Sequence, residues 1–87
     1  MTRYAVNLSA RALDWLIACR DATLKTRISR MVDALAVNPR PPGCKKLKGE
    51  EEVWRVRVGD YRILYEVRDA QLVVLVIDIA NRAKAYR

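Results

Sequence analysis

A chain of 87 residues has room for one domain with a thin core, and its 17 Lys and Arg against 10 Asp and Glu give it a net charge of +7. With no histidine and two separated cysteines there is no recognisable metal-ligand spacing, and the longest apolar run, from Leu72 to Ile77, is far too short to span a bilayer. The positive excess suits a polyanionic partner, either a phosphate backbone or an acidic protein, although solubility alone is the plainer account of it.

The N-terminal residues lack the apolar stretch and small-residue cleavage site of a secretory signal, so the expected compartment is the cytoplasm and the expected state of Cys19 and Cys44 is the free thiol. The opening Arg3-Tyr4-Ala5-Val6-Asn7-Leu8 alternates polar and apolar residues and reads as a strand. Ser9 offers a helix-capping hydroxyl, Leu13, Leu16, Ile17 and Arg20 then recur at helical spacing, and Trp15 and Leu16 are expected in the core. Asp21 can cap a second helix with the stripe Leu24, Ile28, Met31, Val32 and Leu35, which Asn38-Pro39 stops. From Pro39 to Gly49 runs a connector that is too rich in Pro and Gly for regular structure and gathers four cations, Arg40, Lys45, Lys46 and Lys48. Glu50-Glu51-Glu52 reads as a solvated turn.

From Val53 the period becomes two, which predicts strands over Val53–Val58, Tyr61–Val67 and Leu72–Ile79, an antiparallel meander. A two-residue Gly59-Asp60 connection suits a type II′ turn and sets Val58 opposite Tyr61, Arg57 opposite Arg62 and Val56 opposite Ile63. One face then carries Trp54, Val56, Val58, Tyr61, Ile63, Tyr65 and Val67 for the helices to cover, with Trp54 and Tyr65 paired across the hairpin. The other carries Arg55, Arg57 and Arg62. Extending the register through the next turn puts Val67 opposite Leu72 and adds Val73, Leu75, Ile77 and Ile79 to the arginine face, which the segment after Ile79 would partly cover.

Like charges placed opposite each other destabilise a hairpin, so setting Arg57 against Arg62 points to a functional use of that face. The alternative is that Glu66, Asp60 or Asp78 neutralises the pair. Near the C-terminus, Arg82 and Tyr86 are four residues apart and share a face in either a helix or a strand. Taken by itself, that tail fits a functional pair and a frayed basic terminus equally well.

Three stretches carry a resemblance: Lys45-Lys46-Leu47-Lys48-Gly49; Trp54 through Val67 with its Gly59-Asp60-Tyr61-Arg62-Ile63-Leu64-Tyr65 segment; and Val76-Ile77-Asp78-Ile79-Ala80-Asn81-Arg82 followed by Tyr86. In this order and spacing, behind a helix pair that begins Ala10-Arg11-Ala12-Leu13, they resemble the RelE/ParE toxin superfamily. The resemblance implies an α+β fold, βααβββ, with a helical hairpin packed on an antiparallel sheet. It also implies a toxin of a type II toxin–antitoxin module that enters the ribosomal A site, cuts mRNA without a metal or other cofactor, and is held inactive by an acidic cognate antitoxin.

Matched residue by residue, Arg62, Arg82 and Tyr86 take the catalytic positions, and Arg55 and Arg57 fall where several relatives carry lysines. In such a site Tyr86 would act as the base on the 2′-hydroxyl, its phenolate favoured by the surrounding cations, while Arg62 and Arg82 hold the charge that builds at phosphorus. The product would be a 2′,3′-cyclic phosphate. Lys45, Lys46 and Lys48, with Arg55 and Arg57, would bind the backbone of mRNA or rRNA, although a solvated basic loop accounts for the lysines as well. Two departures stand out: Asn81 replaces a histidine common among relatives, and the tail ends one residue after Tyr86. A rival reading keeps the fold but makes the target DNA gyrase, as in ParE-like members. Another makes the chain a non-catalytic RNA-binding blocker of translation.

Overall fold

In the computed structural model, which describes residues 3–47, 49 and 52–81, the chain runs β1 (Ala5–Leu8), α1 (Ala10–Ala18), α2 (Ala22–Val37), β2 (Lys45–Lys46), β3 (Val53–Val58), β4 (Tyr61–Arg68), a 3-10 turn (Asp69–Gln71) and β5 (Val73–Asn81). The strands form one sheet in the order β1-β5-β4-β3-β2, and the helices pack against one face of it. Three pairings are antiparallel, β3–β4 and β4–β5 as expected and β2–β3 in addition; the fourth, β1 on β5, is parallel, so the sheet is mixed where an antiparallel one was expected. This is the predicted α+β arrangement, with the expected first strand β1 at one edge of the sheet and the unforeseen β2 at the other.

Both helices start where capping chemistry places them. The Ser9 side chain accepts a hydrogen bond from the Ala12 amide at 3.1 Å and donates to the Ile77 carbonyl, which ties the start of α1 to β5. The Asp21 carboxylate accepts from the Leu24 amide at 3.0 Å. The predicted stripe of α2 is the one that packs: Ile28, Val32 and Leu35 are buried, with Leu24 and Met31 at their flanks. In α1, Trp15 and Leu16 pack inward as expected, but the rest of the inward face is rotated from the Leu13, Ile17 and Arg20 stripe. Ala12, Trp15 and Leu16 face the core, Leu13 and Ile17 are 46% and 70% exposed, and Arg20 lies beyond the helix end. Two stripes one residue apart share Leu16, and burial of the Trp15 ring decides between them. That ring packs edge-on against Tyr61 with centroids 5.5 Å apart.

The β3–β4 hairpin has the predicted register, Val58 to Tyr61, Arg57 to Arg62, Val56 to Ile63 and Trp54 to Tyr65. Gly59 has φ +60° and Asp60 is not left-handed, the pattern of a type II′ turn. Val56, Val58, Ile63, Tyr65 and Val67 are buried under the helices.

The β4–β5 pairing departs from the expected one. Arg68 extends β4, the 3-10 turn and a left-handed Leu72 (φ 54°) make the connection, and Val67 meets Val74 in place of Leu72. Val73 and Leu75 still fall on the arginine face. The register then shifts between Leu64 and Tyr65, leaving Ile77 as the extra residue of a bulge, after which the parity of β5 reverses. Unbroken alternation would have put Asp78 in the core and Ile79 outside. The bulge sets Asp78 opposite Leu64 and buries Ile79, 2% exposed, opposite Ile63.

The connector after α2 is more regular than its composition suggests. The Cys44 amide donates to the Pro41 carbonyl at 3.1 Å around Pro42-Gly43, with Gly43 at φ +89°, which fits a type II turn with Pro and Gly at its central positions. The reversal allows Lys45 and Lys46 to pair with Arg55 and Trp54 as a fifth strand. Cys19 and Cys44 are free thiols, as expected. No helix among the described residues is long and apolar enough to cross a membrane.

Candidate nucleic-acid interface

On the face of the sheet opposite the helices, alternation along β2, β3 and β4 brings Lys45, Arg55, Arg57 and Arg62 to one place. Lys45 is the cross-strand partner of Arg55, and Arg57 is that of Arg62. With Gly43 these four cations line a cavity of about 120 Å³. The sheet register thus joins four of the predicted site residues in a single basic pocket. Lys46 has the opposite parity: it pairs with Trp54 and does not line the pocket. Lys48, Arg82 and Tyr86 lie outside the described residues, which end at Asn81, one residue past Ala80, the cross-strand partner of Arg62.

Two of the acids that could have neutralised the arginine pair are engaged elsewhere. Glu66 accepts from Arg68 at 2.9 Å, and Asp78 lies 3.6 Å from Arg11. Arg57 Nε donates to the Gly59 carbonyl at 3.1 Å, which bends the guanidinium toward the turn. A planar guanidinium presents paired N–H donors to phosphate oxygens, and several in one concavity suit a backbone phosphate or the charge that builds on it in a phosphoryl transition state. Among the described residues no group of three His, Cys, Asp or Glu is placed to hold a metal ion.

One wall of the pocket went unpredicted. Gly43 belongs to the connector, and the Pro42-Gly43 pair, a type II turn signature, was the signal that could have located it. The connector is held down by a cluster whose members are too far apart in the chain for any spacing to point to it. Arg40 donates two hydrogen bonds to the Asp69 carboxylate, at 3.1 and 2.8 Å, and lies 3.7 Å from Glu52 and 5.2 Å over the Trp54 ring. The Tyr4 hydroxyl donates to the same carboxylate at 2.6 Å. These bonds, Arg40's first and Tyr4's second, hold the Asp69 carboxyl down at about 2, and the bond to Asp69 raises the Tyr4 phenol. Beneath them the buried Tyr65 hydroxyl donates to the Pro39 carbonyl at 2.8 Å, and burial, with Cys44 close by, pushes its phenol well above the ordinary value.

Residues 6–86, nearly the whole chain, match the family described as the ParE toxin of the type II toxin–antitoxin system parDE. The chain is 31% identical over 88 residues to the candidate toxin RelE1 of Methanocaldococcus jannaschii, covering 98% of this chain and 97% of that protein. Among solved structures, it is similar to the archaeal RelE–RelB complex from Pyrococcus horikoshii, with TM-score 0.81, 27% identity, 98% of this chain covered and 100% of that one. The RelBE2 toxin–antitoxin complex of Mycobacterium tuberculosis shares the fold at TM-score 0.80 and 23% identity, with 97% of each chain covered. The residues quoted for the resemblance, the order of the elements and the matched span agree, and the chain belongs to the RelE/ParE superfamily as a RelE-like toxin of a type II toxin–antitoxin system.

Proposed function

We propose that this toxin is an endoribonuclease that cuts mRNA in the ribosomal A site by attack of a 2′-hydroxyl on the adjacent phosphate. The observation that carries the reading is the pocket in which Lys45, Arg55, Arg57 and Arg62 converge on the helix-free face of the sheet. Arg62 holds the scissile phosphate with a bidentate contact. Arg82 shares the charge that builds at phosphorus, and Tyr86, as phenolate, takes the 2′-hydroxyl proton; as the 2′-oxygen bonds to phosphorus the P–O5′ bond breaks, and the 5′-oxygen leaves with a proton from water. Cations from arginine do the electrostatic work here, so the step is written without a metal. Lys45, Arg55 and Arg57 hold the strand through its backbone, while Lys46, of opposite parity on β2, contributes much less.

The relatives solved with RelB support an antitoxin as the regulatory partner of this chain. Complementarity to a surface of net charge +7 calls for an acidic one. The site of action is then the cytoplasm, where ribosomes and mRNA are found.

The matched family description names parDE, whereas the relatives above are RelE proteins, so gyrase is the reading to test against. Purified toxin is incubated with mRNA-programmed ribosomes in excess EDTA and the ends of the fragments are analysed. Fragments ending in 2′,3′-cyclic phosphate, lost on Tyr86→Phe, are the expected result. Intact mRNA together with inhibited gyrase supercoiling would move the assignment to the ParE-like activity. Arrest of translation that survives Tyr86→Phe without any cut would make the chain a blocker by occupancy.

A further inference from the structure

Around the tip of the β3–β4 hairpin from the pocket lies a second, shallower groove of about 380 Å³, lined by Arg27, Arg30 and Met31 of α2 and by Arg57 and Gly59. Arg57 lines both concavities and so links their basic linings at the hairpin tip. Arg27 and Arg30 are three apart on α2 and therefore project from one side of it. Gly59 gives the groove its shape. A Cβ at this position would sit 3.3 Å from one Arg27 guanidinium nitrogen and 3.4 Å from the other, so the missing side chain lets that guanidinium lie on the turn. The Gly59 carbonyl meanwhile accepts from Arg57. Two guanidinium groups, from a helix and from a strand, thus meet on one peptide. Among the described residues none of the ion pairs involves Arg27, Arg30 or Arg57. Gathering three cations without a carboxylate costs stability through their repulsion, which an anion between them would relieve.

We propose that Arg27, Arg30 and Arg57 form a second phosphate-binding station that takes the RNA backbone where it passes over the hairpin tip. The inference rests on reading the pocket as the RNA site, because the link to it through Arg57 is what favours a nucleic-acid strand over an acidic protein. A shallow, open groove also fits a chain that runs across it, and forked guanidinium groups match phosphate oxygens.

The test compares wild type with Arg27→Ala/Arg30→Ala by fluorescence anisotropy on a fully 2′-O-methylated RNA oligonucleotide, which cannot undergo 2′-hydroxyl attack, and in parallel on ribosomes without mRNA. The two probes separate an mRNA strand from rRNA as the source of the phosphates. The expected result, on at least one probe, is weaker binding and a slope of log affinity against log salt shallower by roughly 1.4, about 0.7 for each cation removed from a single strand. Lysines at both positions should restore that slope. Unchanged affinity and slope on both probes would overturn the proposal, and loss of antitoxin binding in the same variant would then assign these arginines to the protein partner. Binding to an uncleavable strand is read independently of cutting, so failure of the station and failure of the nuclease reading are told apart. Thermal unfolding of the double variant, both of whose sites are exposed, checks that the fold is intact.

Discussion

The Arg57–Arg62 pair makes a quantitative prediction about stability. The two residues are direct cross-strand partners, and two unit charges about 7 Å apart in water repel by roughly 0.6 kcal/mol, within the range of about 0.2–1 kcal/mol for opposed pairs on a sheet. Single substitutions blur this term, because Arg57 also donates to the Gly59 carbonyl and Arg62 has contacts of its own. A double-mutant cycle with Arg57→Thr, Arg62→Thr and the double variant cancels those contributions. Urea unfolding at neutral pH and low salt should return a coupling unfavourable by about 0.5 kcal/mol. At about 1 M NaCl, where the screening length is roughly 3 Å, it should shrink toward zero. A coupling that is absent or favourable at low salt would refute the argument that the pair is kept for function against a cost to the hairpin.

Tyr65→Phe should destabilise the protein by about 1–2 kcal/mol in the same unfolding assay, because it leaves the Pro39 carbonyl without its buried donor. Asp69→Asn should lower stability at neutral pH. Since the folded Asp69 carboxyl is depressed to about 2 from an ordinary 3.8, the wild-type advantage should be fully present above about pH 4 and fade as the pH falls toward 2, as pH-dependent unfolding of the two proteins would show. Lys45→Ala should weaken binding to an uncleavable RNA and flatten its salt dependence, while Lys46→Ala, on the opposite face of β2, should change both much less.

The parts of the fold written in local chemistry were legible: the Ser9 and Asp21 caps, the α2 stripe, and the β3–β4 register set by the two-residue Gly59-Asp60 turn. The convergence of Arg55, Arg57 and Arg62 followed from that register alone. What escaped was decided by packing between distant segments. The face of α1 depended on Trp15 meeting Tyr61, the parity of β5 on a bulge that exchanges Asp78 for Ile79 in the core, and the connector's short strand on an edge of β3 that is distant in sequence. Alternation predicts parity only as long as no residue is inserted, and β5 inserts one. The Arg40–Asp69–Tyr4 cluster joins residues as much as 65 positions apart, beyond any periodicity argument. The roles given to Arg82 and Tyr86 rest on the family resemblance and on the tests above.

The central claim is most directly tested by primer extension on a defined mRNA held in programmed ribosomes, comparing wild type with Arg62→Ala, Arg82→Ala and Tyr86→Phe. Discrete cuts within the A-site codon that disappear in all three variants are the predicted result. A wild-type protein that remains toxic to cells yet leaves the A-site mRNA uncut would contradict it.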